Sequence, residues 1–361
     1  MRRFLFVALC LIGFMVASAG QPAAGLEYYD AADFKVIGLG NVSSSNPYYR
    51  LPDSLEGKIR DQLWELARNN AGVAVRFRTD ATEVGVRWTV WMKRWMNHMT
   101  ATGIRGLDLY CLSDSGWCFI NSARPGNDSS NKSTLVSGLS AEMREYMLYL
   151  PLYDGVDTLE IGVNRGAVIS AAEVDLPSTT KPVVWYGTSI VQGGCASRPG
   201  MAATNIISRR LNREVINLGF SGNGRLDAEV AEVMASIDAG LYIIDALPNV
   251  TVEQLRQNIE RFYDILRRDH PDTPILLVAN PPFPSMAYNA TLRATIEEED
   301  AIFYDFYEMF RQRGDDNVYF MSTEGMLGDD GEATIDCNHF TDLGFMRCAD
   351  YMLPVISRLL E

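Results

Sequence analysis

The sequence predicts a two-part α/β protein: an all-β sandwich or jelly roll over residues 25–176, then a doubly wound parallel sheet over residues 183–361. Three observations carry this. Through the first part apolar residues recur at every second position, the period of strands with one buried face. In the second part the apolar runs are continuous and alternate with helix-length segments, as in a parallel sheet covered on both faces. Between them Leu176-Pro177-Ser178-Thr179-Thr180-Lys181-Pro182 has the composition of a connector, and residues 177–182 are read as a linker.

Taken in order, Arg2 and Arg3 precede the apolar run Phe4–Val16 and the small residues Ala17-Ser18-Ala19. That is the pattern of a secretory signal peptide over residues 1–20, too short in its greasy part to span a bilayer. The chain is therefore expected to be secreted or periplasmic, with no integral membrane span after cleavage. Val73–Arg78, Glu83–Trp88 and Leu159–Val163 alternate most cleanly. Leu107–Leu112, Trp117–Ile120 and Tyr146–Leu150 complete the predicted strands, and Leu55–Arg68 reads as a helix. After the linker, apolar runs at 183–186, 215–218, 241–244, 275–278 and 318–321 give five parallel strands of a flavodoxin-like sheet. Helices are expected near 201–212, 226–238, 251–268, 291–313 and 342–360.

Composition narrows the function. The chain has 361 residues, 47% of them apolar, which excludes a mostly disordered protein. Its net charge of −14 would repel a phosphate backbone, so no nucleic-acid partner is expected. A P-loop, a G-x-G-x-x-G fingerprint, H-E-x-x-H and C-x-x-C are all missing from the sequence, so neither cofactor nor metal is expected. Beyond the leader lie five cysteines: Cys111, Cys118, Cys195, Cys337 and Cys348. Cys111 and Cys118 bracket a short loop that a bridge would close. Cys337 has two possible partners, Cys348 and Cys195, between which the sequence does not choose.

Ligands of an open α/β sheet bind outside the carboxyl ends of its strands. There the first strand runs into Gly187-Thr188-Ser189 and the second into Gly219-Phe220-Ser221-Gly222. The third leads to Asn249, and the last to Asp336-Cys337-Asn338-His339. A serine, a glycine turn, an amide and an Asp/His pair on one edge are the parts of a hydrolase. The chain holds three histidines. His270 has the setting of a helix end, and His98 lies far in sequence from any candidate nucleophile, which leaves His339. Asp336 reaches its ring if the four residues form a single turn.

In this order and spacing, Gly187-Thr188-Ser189, Asn217 to Gly222, Asn249 and Asp336-x-x-His339 resemble the four blocks of the SGNH (GDSL-type) hydrolases. Gly193-Gly194-Cys195-Ala196-Ser197-Arg198-Pro199-Gly200 resembles one subgroup of them. Gly106-Leu107-Asp108-Leu109-Tyr110 is similar to the G-x-D-L-Y motif of that subgroup's β-rich domain. Two positions depart from the pattern: Thr188 stands for the aspartate of G-D-S, and Ala246-Leu247-Pro248-Asn249 keeps only the asparagine of the third block.

The resemblance implies Ser189 as nucleophile, His339 as general base and then acid, and Asp336 as the orienting carboxylate. It implies an oxyanion hole from the N–H groups of Ser189 and Gly222 and the Asn249 amide. The expected activity is serine-esterase hydrolysis of short acyl groups, acetyl foremost, on a carbohydrate such as an acetylated polysaccharide. A lipid-directed esterase, or a carbohydrate-binding protein with an inert hydrolase part, are the alternatives. Arg198 is read either as a contact to substrate or as one half of an ordinary salt bridge.

Overall fold

The computed structural model describes residues 25–40, 42–174 and 181–361. The predicted leader and most of the linker lie outside the described residues. The chain opens with β1 (Glu27–Asp30), β2 (Lys35–Ile37), α1 (Asp61–Ala67), β3 (Ala74–Thr79) and β4 (Glu83–Val90). It continues with α2 (Ala101–Arg105), β5 (Leu107–Ser113), β6 (Gly116–Ala123), β7 (Ser130–Ser137), β8 (Arg144–Tyr149), β9 (Val156–Val163) and β10 (Ile169–Ala171). One sheet has the order β1-β9-β4-β7 and the other β10-β3-β8-β5-β6, with β2 also paired to β3. Every pairing is antiparallel. The inner faces bury Val75, Phe77, Val86, Trp88, Leu148 and Ile161 in one core, so the period-two pattern does become a sandwich.

Two local expectations change. The helix read over 55–68 is confined to Asp61–Ala67, because Gly57 adopts φ +70° just after a 3-10 turn at 53–55 and breaks the run. Cys111 and Cys118 face each other across the β5–β6 hairpin, yet all five described cysteines are free thiols.

The second part contains β11 (Val183–Gly187), α3 (Ser189–Gln192), α4 (Ala203–Leu211), β12 (Val215–Gly219), α5 (Ala228–Ala235) and β13 (Leu241–Asp245). Then come α6 (Val252–Asp269), β14 (Ile275–Val278), α7 (Ala290–Gln312), β15 (Val318–Met321) and α8 (Asp342–Leu359). The sheet order is β12-β11-β13-β14-β15, all parallel, which is the flavodoxin-like order. Every residue of β11, β12 and β13 is buried. Ile206 of α4 and Phe345 and Met352 of α8 cover one face, against Trp185 and Ile243. Val230, Leu255, Phe262 and Phe303 cover the other, against Val184 and Ile244. No helix among the described residues is long and apolar enough to cross a membrane.

The two parts interlock. Leu51 and the α1 residues Leu63, Trp64 and Leu66 are buried in the core beneath the parallel sheet. Arg50, fully buried, donates to the carbonyls of Leu66 (2.6 Å), Asn69 (2.7 Å), Asn217 (3.1 Å) and Gly219 (2.7 Å). Burial lowers its pKa to about 9, so it remains a cation near neutral pH, spent on backbone oxygens at the end of β12. On the other side, Asp108 of β5 accepts from Arg198 (2.9 Å) and from the Gly200 N–H (2.8 Å). Arg198 also donates to the Tyr110 hydroxyl (2.6 Å). Of the two readings of Arg198, the salt bridge is the one observed.

Asp245 ends β13 with a single side-chain hydrogen bond, from the Trp185 indole N–H at 3.2 Å. Burial pushes its carboxyl up to about 7. Between about pH 4 and 7 the unfolded chain releases this proton while the folded chain keeps it, so stability falls as pH rises and levels off above 7. Asp245→Asn should therefore match the wild type near pH 4 and exceed it by on the order of 4 kcal/mol above pH 7. Chemical denaturation across that range checks this, and a constant difference at all pH values would contradict it.

Candidate active site

The continuous apolar strand β11 delivers the chain to the carboxyl edge of the sheet. There the Thr188 hydroxyl accepts from the Ile190 N–H (3.2 Å) and caps α3. Ser189 is the first residue of that short helix, and Gly193, at φ +103°, ends it. The Ser189 carbonyl is held by the Gly194 N–H (2.7 Å) and the Tyr153 hydroxyl (3.3 Å). Ser189 is thus fixed from below, 6% exposed, with its hydroxyl facing the groove.

His339 arrives on the loop between β15 and α8. The Thr334–Phe340 bridge closes that loop, and the Ile335 N–H donates to the His339 carbonyl at 2.9 Å. Phe340 and Phe345 are buried against each other, and Thr341 caps α8. Leu343, on the first turn of α8, is exposed and takes no part in seating the ring. Asp336 accepts from the backbone N–H groups of Asn338 (3.1 Å) and His339 (2.7 Å) through one oxygen. Its other oxygen lies 2.8 Å from His339 Nδ1. The four residues do form a single turn.

A carboxylate at Nδ1 places the ring proton there and leaves Nε2 as acceptor. Nε2 lies 3.0 Å from Ser189 Oγ. Partial burial pulls the Asp336 carboxyl up, but the bonds from the His339 ring and backbone outweigh it and hold it below its ordinary value. Asp336 therefore stays charged at neutral pH and keeps its hydrogen bond to the ring.

The turn after β12 lies beside α3, with the Ser221 N–H donating to the Gln192 side chain at 2.9 Å. A Cβ at Gly219 would lie 2.1 Å from the Gln192 nitrogen, so only glycine permits this approach. Gly222 has φ +66° with open space above it. Asn249 closes a 3-10 turn after β13 that feeds the Thr251–Gln254 capping box of α6. Its Oδ1 is buried without a hydrogen-bond partner among the described residues, an expense a folded chain seldom leaves unexplained. Ser189 and Asn249 follow β11 and β13, the two strands between which the order of the sheet reverses, the usual ligand crevice of such folds.

Next to Asn249 and Asn338 opens a cleft of about 310 Å³, lined by Leu247, Phe283, Leu292 and Ile296 with Asn280 and Glu299. Burial pushes the Glu299 carboxyl up to about 7. Phe283, from the proline-rich segment Asn280-Pro281-Pro282-Phe283-Pro284 after β14, walls this cleft. A larger recess of about 490 Å³, bounded by Arg267, Asp315 and Asn317, opens at the amino end of the sheet, away from these groups.

One residue set aside in the sequence belongs here. His98, on the loop between β4 and α2, lies with its ring 5.6 Å from that of His339. Buried Asp154 anchors this loop by accepting from the N–H groups of Met92 (3.0 Å) and Arg94 (2.9 Å). Thr100 and Thr102 tie its far end to the Ser197 carbonyl. The one hint in the sequence was a strand-to-helix connection dense in Trp and Met (Trp91, Met92, Trp95, Met96, Met99), far too apolar for a loop in water. His270 instead caps α6 and bonds the Ala235 carbonyl at 2.7 Å, at a helix end.

A hydroxyl, an imidazole and a carboxylate lie in one hydrogen-bonded line on the carboxyl edge of a flavodoxin-like sheet, the arrangement that serine hydrolases use. The chain belongs to the GDSL-like lipase/acylhydrolase family, which it matches over residues 180–357, and residues 26–169 match the N-terminal domain of SGNH-type esterases. A Bacteroides ovatus protein described as a GDSL-like lipase is 33% identical, with a TM-score of 0.88 over 93% of this chain and 98% of that one. The salicylyl-acyltransferase SsfX3 of a tetracycline biosynthetic pathway is 17% identical over 94% of this chain and 98% of its own, at 0.75. A family two carbohydrate esterase from Clostridium thermocellum, in complex with cellohexaose, is 14% identical over 90% and 99%, at 0.60. These last two share the fold. No curated protein matches the chain.

Proposed function

We propose that the protein is an exported serine esterase that removes short acyl groups, acetyl foremost, from carbohydrate. The observation that carries it is the 3.0 Å contact of Ser189 Oγ with His339 Nε2, backed by Asp336 at 2.8 Å. In this mechanism His339 takes the Ser189 proton as Oγ attacks the ester carbonyl. Asp336 stabilises the resulting imidazolium. The N–H groups of Ser189 and Gly222 and the Asn249 amide receive the oxyanion. His339 then protonates the departing sugar hydroxyl, leaving an acyl-enzyme. Water, deprotonated by the same ring, releases the acid and restores Ser189.

The division at 177–182 then separates a β-rich part, which supplies one wall of the groove, from the part that carries the chemistry. Trp95, 75% exposed on the loop that bears His98, offers a flat apolar face against which the C–H face of a sugar ring would pack. Trp95→Ala should raise KM for an acetylated polysaccharide several-fold and leave the hydrolysis of p-nitrophenyl acetate unchanged. An equal loss on both substrates would argue against a sugar platform. Asn249→Ala should lower kcat by roughly 10²–10³, the usual effect of losing one oxyanion donor, with KM little altered. Steady-state kinetics reads both.

The decisive experiment measures acetate released from a panel of acetylated polysaccharides, with Ser189→Ala as the control. A second reading, a lipid-directed esterase, draws on the 310 Å³ apolar cleft, which exceeds what an acetyl group fills. Activity climbing from acetyl to octanoyl esters would establish it in place of the first.

A further inference from the structure

One ring nitrogen each of His98 and His339 and the sulfur of Cys195 lie within 4.8 Å of one another. They come from three separate stretches of chain, and the esterase mechanism has no use for two of them. We propose that this cluster binds a thiophilic divalent cation, Zn²⁺ foremost, and that the bound ion silences the nucleophile by taking His339 Nε2 away from Ser189 Oγ.

Two imidazoles and a thiolate supply the nitrogen and sulfur ligands that Zn²⁺ takes and leave a fourth tetrahedral position open. Both rings are already set for the task. Asp336 holds His339 Nδ1 at 2.8 Å, the carboxylate–histidine arrangement that orients a metal-bound ring. The Asn97 side-chain oxygen lies 2.9 Å from His98 Nδ1, so that nitrogen carries the proton and Nε2 carries the free lone pair. Around tetrahedral Zn²⁺ the donor atoms stand about 3.3–3.6 Å apart, given Zn–N and Zn–S bonds of roughly 2.0–2.3 Å. The present spread, 4.8 Å at most, exceeds that by little more than about 1 Å, and the His98 side chain is only half-buried.

Cys195 adds an independent observation. It follows Gly193 and Gly194 and adopts φ +75°, a left-handed backbone conformation that costs any residue with a Cβ. Glycine would satisfy such a turn more cheaply, yet a cysteine occupies it with its sulfur beside the His339 ring. As the metal–sulfur bond forms, the thiol proton passes to solvent. The His339 lone pair then goes to the ion in place of the Ser189 proton, and nothing is oxidised or reduced.

Inhibition rests on the esterase reading, whereas binding does not, so the test reads them separately. Metal-free protein is titrated with Co²⁺, whose absorption reports thiolate ligation and tetrahedral geometry. The expected result is a thiolate band that is absent in Cys195→Ser and weakened in His98→Ala. In parallel, Zn²⁺ should inhibit p-nitrophenyl acetate hydrolysis at micromolar concentration, with recovery on adding EDTA. Relative to its own uninhibited rate, each variant should need at least about tenfold more Zn²⁺, since even an outer partner of a ligand contributes 10–100-fold. Circular dichroism confirms that the variants are folded. A missing thiolate band, or equal Zn²⁺ sensitivity in wild type and both variants, would overturn the site. A thiolate band accompanied by stimulation, or by no inhibition, would overturn its control of the nucleophile.

Discussion

Ser189→Ala should lower kcat for ester hydrolysis on the order of 10⁴–10⁶-fold while KM stays within a factor of a few. In the proposed mechanism this hydroxyl bonds to the acyl carbon, and no other described hydroxyl lies within hydrogen-bond distance of His339. Its removal leaves the fold intact, because the residue is anchored by its carbonyl and by the helix it begins. The variant should unfold at the denaturant concentration of the wild type. His339→Ala should cost a similar factor, and the double variant little more, since nucleophile and base act as one unit. Additive losses would mean that the two side chains act separately. Wild-type turnover in Ser189→Ala would remove the esterase reading altogether.

The parts of the molecule that were legible in the sequence share a physical cause. Strands β11 to β15 announce themselves because a sheet buried on both faces must be apolar at every position. The groove residues on its carboxyl edge follow because sheet topology dictates where loops converge. Topology alone places Ser189, Gly222, Asn249 and the Asp336–His339 turn on that edge. Strand β7 escaped notice because its sequence, Ser130–Ser137, is almost wholly polar and only Leu135 is buried. Helix α3, four residues long, has no periodicity to detect. His98 is not legible as a site residue because its neighbour His339 lies 241 positions further along, and a contact between two distant loops leaves no local pattern. The G-x-D-L-Y motif was recognised as a pattern, but its reason lies in the partner it meets across the chain.

That reason leads to the second large effect. Asp108→Ala should cost about 3–5 kcal/mol of stability, the usual result of removing one member of a buried ion pair. The Asp108 side chain is fully buried, with Arg198 at 2.9 Å, the Gly200 N–H at 2.8 Å and the Ser122 hydroxyl at 2.6 Å. Alanine strands the Gly200 and Ser122 donors and leaves Arg198 the Tyr110 hydroxyl as its oxygen partner. The Arg198 guanidinium keeps the Phe119 ring, 3.7 Å from its centre, but a ring face returns only part of what a desolvated carboxylate supplies. Asp108→Asn retains one oxygen and should lose less than half as much.

The motif pins residues 198–200 to the sandwich, while Ser197 is held by Asp342 at the start of α8. Gly193 and Gly194 bind the Ser189 carbonyl in the same stretch. Loosening one end should therefore be felt at the nucleophile, and kcat of the folded Asp108→Asn protein should fall several-fold with KM nearly unchanged. A double-mutant cycle with Arg198→Met separates the possibilities. Coupling above about 1 kcal/mol identifies the pair as the clamp between the two parts. A value near zero would mean that the sandwich is held by the other ties, Arg50 and the α1 packing among them, with the motif spent on local folding of β5.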